Sequence, residues 1–299
     1  MICALVVPVG AIISGDGMVS QDEFSIATMT KNVDTGEVTY STHDYREEIA
    51  VSQVISKLKD MGSVSLLEDL HALASVALDG SIIGGSDERT KVTNTKAIPY
   101  SAICYVEGEL DGNAFTCTAF MISKNVAVTA GHCVYENYKW ATDVKVWPGK
   151  NGYGLWNNPY GTAKFLTVAA PTYDDAEDAN CDWGIIVLNE HIGNDCGWLG
   201  FTYDHGSTFP AYFTMTGYPT EYQYYQYTST DYVTSIEGAY FYHRIDASDG
   251  QSGSPIYDSN NIVHGIHVGN INATRNVGIQ ITQVIYNYFN DYIAAYADS

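Results

Sequence analysis

The stretch Asp249-Gly250-Gln251-Ser252-Gly253-Ser254-Pro255 places Ser252 between two glycines. Glycine tolerates backbone conformations that other residues avoid, so the stretch indicates a tight turn rather than a helix or a central strand. By itself the pattern is also compatible with an ordinary surface turn. A serine hydroxyl is a weak nucleophile unless a base takes its proton, so a catalytic role requires partners elsewhere in the chain.

Two upstream segments offer such partners. Thr129-Ala130-Gly131-His132-Cys133 puts a histidine after an apolar run, and Asp182 opens the apolar stretch that continues to Leu188. A carboxylate entering a buried strand needs a polar partner to offset its desolvation, and an imidazole N–H is one. The order histidine, aspartate, serine is that of the chymotrypsin arrangement, not of subtilisin or the α/β-hydrolases. The combination predicts a serine endopeptidase whose triad is His132, Asp182 and Ser252.

Other residues compete for these roles. A structural histidine in a half-buried turn is the alternative for His132. Ser248 and Ser254 are rival nucleophiles, although neither lies between two glycines. The aspartates that compete with Asp182 are Asp174, Asp175, Asp178 and Asp195. The first three of these lie in a polar loop, where we expect them to be solvated.

The composition limits the classes of partner. The chain has 299 residues, 45% of them hydrophobic, and a formal net charge of −21. No basic run is present to offset phosphate repulsion, which argues against nucleic acid as a partner. Abundant glycine and tyrosine with only 16% charged residues are typical of strands and surface loops. We expect a soluble, secreted monomer that acts on proteins or peptides without a cofactor or a metal.

The cysteines favour disulfides over a metal site. Six cysteines occur without a C-x-x-C pair, which argues against a zinc knuckle or a thioredoxin motif. Cys117 lies 133 − 117 = 16 residues before Cys133, a spacing that allows a disulfide to staple the histidine loop. Cys181 and Cys196 flank the strand that Asp182 opens and form a second possible pair. Cys104 is then left as a buried free thiol.

The N-terminal part of the chain differs from the rest. Residues 2–13 are almost wholly apolar, too short to span a bilayer but long enough for the core of a signal peptide. The preceding basic residues of a signal peptide are missing, so 1–20 is interpreted as a truncated or degenerate signal-like segment. Residues 21–80 contain helical periodicity at 45–61 and 65–78 and no cysteine, which predicts a small α-rich propeptide. A stable N-terminal domain is the alternative.

Beyond residue 80 the pattern changes to short strands separated by Gly, Asn, Asp and Pro, which predicts all-β barrels or sandwiches. The plainest predicted strands are 97–106, 115–122, 126–129, 144–147, 165–169, 185–188, 213–216, 256–257 and 262–268. The tyrosine-rich run 222–232 is interpreted as a solvated β-loop, with a position at the edge of the substrate cleft as the alternative. A terminal amphipathic helix is predicted over 282–297, with Thr282 as its N-cap.

In combination these motifs resemble the bacterial glutamyl endopeptidases, which are chymotrypsin-like serine proteases. The matching segments are the run 81–95, TAGHC at 129–133, DWGIIVL at 182–188, TGYP at 216–219, GQSGSP at 250–255 and GIHVGN at 265–270. The resemblance extends over 81–299. It implies two six-stranded antiparallel β-barrels, at about 97–190 and 197–281, with the site between them. It also implies a C-terminal helix and a propeptide that is removed on maturation.

The resemblance implies a role for individual residues. His132, Asp182 and Ser252 match the triad, and the backbone N–H groups of Gly250 and Ser252 match the oxyanion hole. His267 matches the histidine that binds the substrate carboxylate just before the scissile bond, with Ala247 and Ser248 as further pocket residues. The expected activity is therefore cleavage after Glu, and less often after Asp, by an acyl-enzyme mechanism.

Two departures leave other functions open. Ala247 stands where the family usually has threonine, and Asp249 adds a carboxylate where it usually has glycine. The alternatives are a chymotrypsin-like protease of different or broader specificity and a non-catalytic binding protein on the same fold. For His267 the alternative is a structural strand histidine, with His264 as an internal comparison.

Activation also differs from trypsin. Gln251, which precedes the predicted nucleophile, carries no charge, so the trypsin-type ion pair between a new N-terminus and an aspartate is not available. If cleavage after about Gly80 activates the enzyme, one route is unblocking of the cleft, and another, which the family resemblance implies, is placement of the new amine near the specificity pocket. The acidic loop 174–182 lacks a recognisable calcium-ligand spacing, so no metal site is predicted there.

Overall fold

The computed structural model describes residues 25–44, 82, 85–171, 182–206, 209, 211–272 and 274–297. The predicted signal-like segment 1–20 and the predicted helices at 45–61 and 65–78 lie outside these residues. The described part consists mainly of strands, with a short helix α1 (Gly193–Cys196) and a longer C-terminal helix α2 (Gln283–Ala295).

The strands of the first half are β1 (Ser25–Asn32), β2 (Val38–Asp44), β3 (Thr90–Lys91), β4 (Ile103–Leu110), β5 (Asn113–Met121), β6 (Val126–Thr129), β7 (Tyr135–Glu136), β8 (Lys139–Trp140), β9 (Thr142–Pro148), β10 (Ala163–Pro171) and β11 (Gly184–Leu188). Those of the second half are β12 (Gly200–Phe201), β13 (Ala211–Gly217), β14 (Tyr227–Glu237), β15 (Tyr240–His243), β16 (Pro255–Tyr257), β17 (Ile262–Asn272) and β18 (Arg275–Gln280).

Six strands of the first half close into an antiparallel barrel. They pair in the order β11-β6-β5-β4-β9-β10, and β10 pairs back onto β11. Inward-facing apolar side chains fill the barrel, and those of Phe120, Ile185 and Ile186 are fully buried. Closure pairs every strand on both edges, so the barrel is a rigid frame for the loops at its ends.

The second half forms an equivalent barrel. Its strands pair in the order β17-β16-β13-β14-β15-β18, with β17 pairing back onto β18. The short strands β12 and β3 add to the outside, parallel to β17 and antiparallel to β14. The predicted all-β class with two six-stranded antiparallel barrels is confirmed.

The C-terminal helix packs against the first barrel. The hydroxyl of Thr282 accepts a hydrogen bond from the backbone N–H of Ile285 at 3.3 Å, so this residue is the N-cap that the sequence predicted. Tyr288 and Phe289 on the buried face of α2 meet Trp183 edge-to-face, at ring-centroid distances of 5.2 and 5.6 Å. The predicted helix is confirmed, and it anchors the residue next to Asp182.

The N-terminal segment forms an addition to the first barrel. β1 and β2 make a hairpin, and β1 pairs antiparallel with β10 over Thr28↔Pro171 to Asn32↔Thr167. Met29 is buried, and the hydroxyls of Thr30 and Tyr292 lie 2.6 Å apart. The described part of the predicted α-rich propeptide is therefore β-structure, which was not foreseen.

Two other local predictions were wrong. The run 222–232 was expected to be a solvated β-loop, but most of it belongs to β14, which pairs with β13 and β15. The strand predicted over 97–106 begins only at Ile103, because Pro99 has no N–H to donate and a 3₁₀ turn at Tyr100–Ala102 follows it. Among the described residues, no helix is long and apolar enough to cross a membrane.

Candidate active site

The barrel register brings His132 and Asp182 together. β6 and β11 are antiparallel neighbours, with Thr129 opposite Gly184. The chain leaves β6 into a 3₁₀ turn at Gly131–Cys133, and it enters β11 through Asp182 and Trp183. The end of one strand therefore meets the start of the other, although the two residues are 50 positions apart.

Asp182 is bound to His132 at three points. The backbone N–H of His132 donates to Oδ1 of Asp182 at 2.8 Å, and the ring Nδ1 lies 3.0 Å from Oδ1 and 2.8 Å from Oδ2. A carboxylate at Nδ1 fixes the proton on that nitrogen and leaves Nε2 free to act as a base. The pair has the geometry of a catalytic His–Asp couple.

The surroundings set the pKa of His132. Burial alone lowers this pKa, but the Asp182 carboxylate and its hydrogen bond outweigh burial and raise it above the usual histidine range. Burial raises the pKa of the neighbouring Cys133 thiol well above its usual value, so this thiol stays neutral and adds no charge. Asp182 is thus the group that stabilises an imidazolium at this position.

The predicted nucleophile lies in a loop packed against the histidine turn. The carbonyl of Ser252 accepts a hydrogen bond from the N–H of Thr118 on β5 at 2.9 Å. Gly253 has φ +85°, and a Cβ there would lie 2.0 Å from the Thr118 carbonyl and 2.9 Å from the nitrogen of Ala130. Only glycine allows this approach, which puts Ser252 beside the segment that leads into His132.

No hydrogen bond joins Ser252 to His132 within the part of the chain that the structure describes. Catalytic hydrogen bonds are often long or poorly aligned before substrate binds and tighten in the complex. Ser252 is half-buried, whereas the rival Ser254 is fully buried. Substrate therefore has access to Ser252 but not to Ser254.

Two hydrogen bonds fix the peptide planes that precede Gly250 and Ser252. The carbonyl of Asp249 accepts from the N–H of Thr220 at 2.8 Å, and the carbonyl of Gln251 accepts from that of Ser254 at 2.9 Å. Because C=O and N–H of a trans peptide point in opposite directions, these bonds orient the N–H groups of Gly250 and Ser252.

Neither of these two N–H groups donates to any acceptor among the described residues. Gly250 has φ +86°, and a Cβ there would lie 2.5 Å from the Tyr218 carbonyl, so no other residue fits. Two oriented and unpaired N–H groups are the feature that an oxyanion hole requires.

His267 lies on β17 behind this loop. The N–H of His267 donates to the carbonyl of Ser254, and its carbonyl accepts from the N–H of Gly253, at 2.9 and 2.8 Å. Nδ1 of its buried ring is 3.2 Å from Nε2 of His243. Burial, followed by repulsion from His243 and His132, holds the pKa of His267 well below its usual value. His267 is therefore neutral in the absence of a negative partner.

The other predicted pocket residues have different environments. Ala247 is fully buried in an apolar cluster with Phe213 and Ile245. The hydroxyl of Ser248 lies 2.5 Å from Nη1 of Arg89 and 2.7 Å from a carboxylate oxygen of Glu221. The hydroxyl of Ser248 is therefore already engaged within the protein.

The structure brings two of the predicted cysteines together. Cys117 and Cys133 are buried free thiols that lie close together, and the Cys117 thiol contributes to the raised pKa of Cys133. Their disulfide stays a prediction that depends on oxidation. Cys196 and Cys104 are also buried free thiols, and Cys181 lies outside the described residues. No group of three or more His, Cys, Asp or Glu side chains in the described ranges is placed to hold a metal ion.

The family model for Trypsin matches residues 87–293 of this chain. The chain belongs to the trypsin family. It is 31% identical over 224 residues to the glutamyl endopeptidase of Bacillus licheniformis, which covers 68% of this chain and 66% of that protein. It is 32% identical over 220 residues to a Bacillus subtilis protein named extracellular metalloprotease, covering 70% of this chain and 69% of that one.

Solved structures agree with this family. A Glu endopeptidase in complex with MPD matches with a TM-score of 0.64 and 28% identity, covering 71% of this chain and 99% of that one. The protease Anisep from Arthrobacter nicotinovorans matches with a TM-score of 0.59 and 19% identity, covering 69% and 99%, which shows the fold alone. This trypsin-family chain is a serine endopeptidase, and the predicted likeness to glutamyl endopeptidases is confirmed.

Sequence reasoning missed several residues that shape the site of this trypsin-family protein. Thr118 donates through its hydroxyl to the carbonyl of Gly250 at 2.9 Å across 132 positions, and no local pattern reveals such a contact. His243 was missed because its strand β15 was not predicted. Arg89 was only weakly indicated by the sequence, as a basic residue directly after Asp87 and Glu88 in an acidic protein.

Proposed function

We propose that this protein is a secreted serine endopeptidase that cleaves peptide bonds after Glu and is made as a zymogen. The observation that carries the proposal is the three-point contact between His132 and Asp182, with the Ser252 loop packed directly against the histidine turn. The Bacillus licheniformis relative, a glutamyl endopeptidase, supports the substrate class.

In the proposed reaction Ser252 Oγ attacks the scissile carbonyl while His132 Nε2 takes its proton. The N–H groups of Gly250 and Ser252 bind the resulting oxyanion, and Asp182 stabilises the imidazolium. His132 then donates the proton to the leaving amine, which departs and leaves an acyl-enzyme. A water molecule, deprotonated by His132, hydrolyses this ester and releases Ser252.

His267 accounts for the proposed preference for Glu. A neutral ring that accepts at Nδ1 from His243 carries its own proton on Nε2 and can donate it to a carboxylate. The negative charge of a bound Glu favours protonation of the ring, which strengthens the contact in a buried site. Asp249 is exposed, so water screens the repulsion that its charge exerts on an acidic substrate.

A broader specificity is the second candidate, and the environment of Ala247 favours it. The buried apolar cluster around this residue supplies no hydroxyl for a substrate carboxylate. Under this alternative, substrates ending in Phe are cleaved about as well as those ending in Glu.

The precursor form is proposed from the position of the N-terminal segment. The trypsin match begins at residue 87, whereas the β1–β2 hairpin is attached to the edge of β10 by strand pairing. We propose that 21–80 acts as a propeptide and that cleavage near Gly80 separates it from the barrels. The N-terminal residue of the secreted active protein tests this directly: a start before the hairpin would contradict the proposal.

Labelling with a fluorophosphonate tests the nucleophile. The reagent should modify the processed protein once, at Ser252, and Ser252→Ala should abolish the labelling. Ser254→Ala is the matched control and should be labelled like the wild type. Labelling that survives Ser252→Ala, or a wild-type protein that resists the reagent, would overturn the proposed mechanism.

A further inference from the structure

Arg89 holds a buried cation directly behind the predicted oxyanion loop. Its side chain is only 2% exposed. Nε and Nη2 donate to the two carboxylate oxygens of Asp87 at 2.9 and 2.8 Å, and Nη2 also donates to Glu221 at 2.6 Å. Nη1 donates to the hydroxyl of Ser248 at 2.5 Å and to the side-chain oxygen of Gln251 at 2.7 Å.

These contacts use all five N–H donors of the guanidinium. The two carboxylates compensate for burial of the charge, and they lie outside the loop that carries the nucleophile. Asp87 is ionised at neutral pH, since its hydrogen bond to Arg89 lowers the pKa of Asp87 to about 2. The Nη1 contacts, by contrast, are made to two residues of the loop itself.

The Nη1 contacts fix the turn that precedes the nucleophile. The Gln251 oxygen bound by Arg89 also accepts from the N–H of Ser248 at 3.1 Å, and the N–H of Gln251 donates to the carbonyl of Ser248 at 3.1 Å. Gln251 is 1% exposed, so water does not compete for this oxygen. Arg89, Ser248 and Gln251 therefore form one closed network at the base of the turn.

The turn needs such support because of the two N–H groups that it leaves unpaired. The free energy of a peptide with an unpaired N–H falls if the peptide rotates so that this group meets an acceptor. The peptide between Gln251 and Ser252 carries one of these two N–H groups, and its rotation would move the backbone of Gln251 and with it the Gln251 side chain. A side chain held by a buried cation opposes that movement.

The segment that carries Arg89 has its own attachment to the second barrel. β3 pairs with β14, and the N–H of Glu88 donates to Asp246 Oδ2 at 2.8 Å. None of these contacts requires a free amino group. The cation that trypsin-like activation takes from a new chain end is supplied here by a side chain.

We propose that Arg89 is a positioning residue that holds the oxyanion turn in its active conformation through Gln251 and Ser248. This inference rests on the proposed function, because it assigns a supporting role in the reaction of Ser252. It predicts an effect on stabilisation of the transition state rather than on substrate binding.

The central test is Arg89→Met, with kinetics expressed per active site counted by fluorophosphonate titration. Loss of an oxyanion-hole donor costs about 10²–10³ in turnover, so we expect kcat to fall by about 10² with KM changed less than about threefold. Affinity for a peptide aldehyde, which mimics the tetrahedral adduct, should fall by a similar factor. Arg89→Lys should be intermediate, because an ammonium has three donors rather than five.

A second pair of variants tests the same link from the loop side. Gln251→Leu removes the acceptor and should lower kcat in the manner of Arg89→Met, whereas Gln251→Glu keeps an acceptor and should lose about tenfold less. The double variant of Arg89→Met and Gln251→Leu should lose no more than the larger single effect, because both break one network. If Arg89→Met does not fold, the contrast between the two Gln251 variants carries the test.

The control is Arg244→Met, which removes an arginine that is 52% exposed and paired with Asp231 on the same barrel. It should keep wild-type kcat. Guanidinium ions added to Arg89→Ala should recover part of its kcat and should not change that of Arg244→Met. Unchanged kcat and aldehyde affinity per active site in Arg89→Met, or equal losses in the two Gln251 variants, would overturn the inference.

Wild type and Ser252→Ala are assayed beside these variants. A wild type without turnover or Ser252-dependent labelling would overturn the proposed function, and this inference with it. An active wild type with a fully active Arg89→Met would overturn this inference alone.

Discussion

Nδ1 of His132 lies 2.8 Å from Oδ2 of Asp182, and the backbone N–H of the same histidine donates to Oδ1 of that carboxylate. The carboxylate therefore fixes both the ring and the backbone of the histidine. When the pH is above the pKa of His132, the ring keeps its proton on Nδ1 and presents an unprotonated Nε2. This relationship determines whether Ser252 can be activated.

Replacement of Asp182 by asparagine should therefore remove most of the activity. An amide in this position can donate to Nδ1 and so favour the wrong tautomer, which leaves Nε2 without a free lone pair. We expect kcat to fall by about 10⁴ in Asp182→Asn, measured on a Glu-containing peptide. Asp195→Asn, at an exposed position of α1, is the matched control and should keep wild-type kcat. Equal activity of the two variants would contradict the role of Asp182.

Replacement of His267 should change specificity more than it changes chemistry. A hydrogen bond to a charged group contributes about 1.5–3 kcal/mol, so His267→Ala should lower kcat/KM for a Glu substrate by roughly 10- to 100-fold relative to a Phe substrate. His264→Ala removes a histidine from the same strand β17 and should preserve the ratio. Equal loss of both substrates in His267→Ala would mean that His267 is structural.

The buried His243 should make the protein sensitive to acid. Burial lowers the pKa of His243 to about 3, whereas an unfolded histidine titrates near 6.5. Between these values the unfolded state binds one proton more, so its free energy falls relative to the folded state as the pH falls. The contribution of neutral, buried His243 to the free energy of unfolding is fully present above about pH 6.5. It is lost toward pH 3, by about 1.4 kcal/mol per pH unit.

Urea denaturation between pH 7 and pH 4 checks this prediction. The free energy of unfolding of the wild type should fall more steeply with acidification than that of His243→Asn. The two slopes against pH should differ by about 1.4 kcal/mol per pH unit, which corresponds to one proton. Identical slopes for the two proteins would show that His243 does not titrate on unfolding.

The adjacent thiols of Cys117 and Cys133 should form a disulfide under oxidising conditions. Closing a loop of this size stabilises a protein by about 3 kcal/mol in the chain-entropy model. The free energy of unfolding of the oxidised wild type, measured by urea denaturation, should therefore exceed that of a Cys117→Ala/Cys133→Ala variant by about that amount. Mass mapping of peptides that remain linked without reductant identifies the pair, and Cys104→Ala should retain the linkage. A different pairing, or none, would contradict the prediction.

The parts of the fold that were predictable from sequence are those with local signals. All four residues of the predicted strand Val126–Thr129 are buried and make up β6. The C-terminal helix was predictable from its apolar face and its cap at Thr282. The strand was predicted from a short apolar run, and the helix from apolar residues spaced at the helical period.

Two strands that carry buried polar residues, β14 and β18, were not predicted. Asn276 on β18 is fully buried, and its side-chain amide donates to the carbonyl of Ile245 at 2.8 Å. Thr216 and Thr228 on β13 and β14 bind each other through their hydroxyls at 2.8 Å. Such polar side chains suggest solvent exposure until the opposite strand is known.

The same distinction between local patterns and contacts across the chain applies to the candidate site. Motifs and chain order identified His132, Asp182 and Ser252 as the residues that could react. The turn geometry depends on Thr118, Thr220 and Arg89, which reach it from distant parts of the chain. Candidate reactive residues could therefore be named from the sequence, whereas the contacts that position them required the three-dimensional structure.

The central claim is that Ser252 carries out cleavage after Glu, and the most direct measurement is cleavage-site mapping of a peptide library by mass spectrometry. The processed wild type should cut after Glu, less often after Asp, and rarely elsewhere. Ser252→Ala should lower turnover by about 10⁴–10⁶. Cleavage that persists in Ser252→Ala, or wild-type cleavage without preference for Glu, would contradict the account.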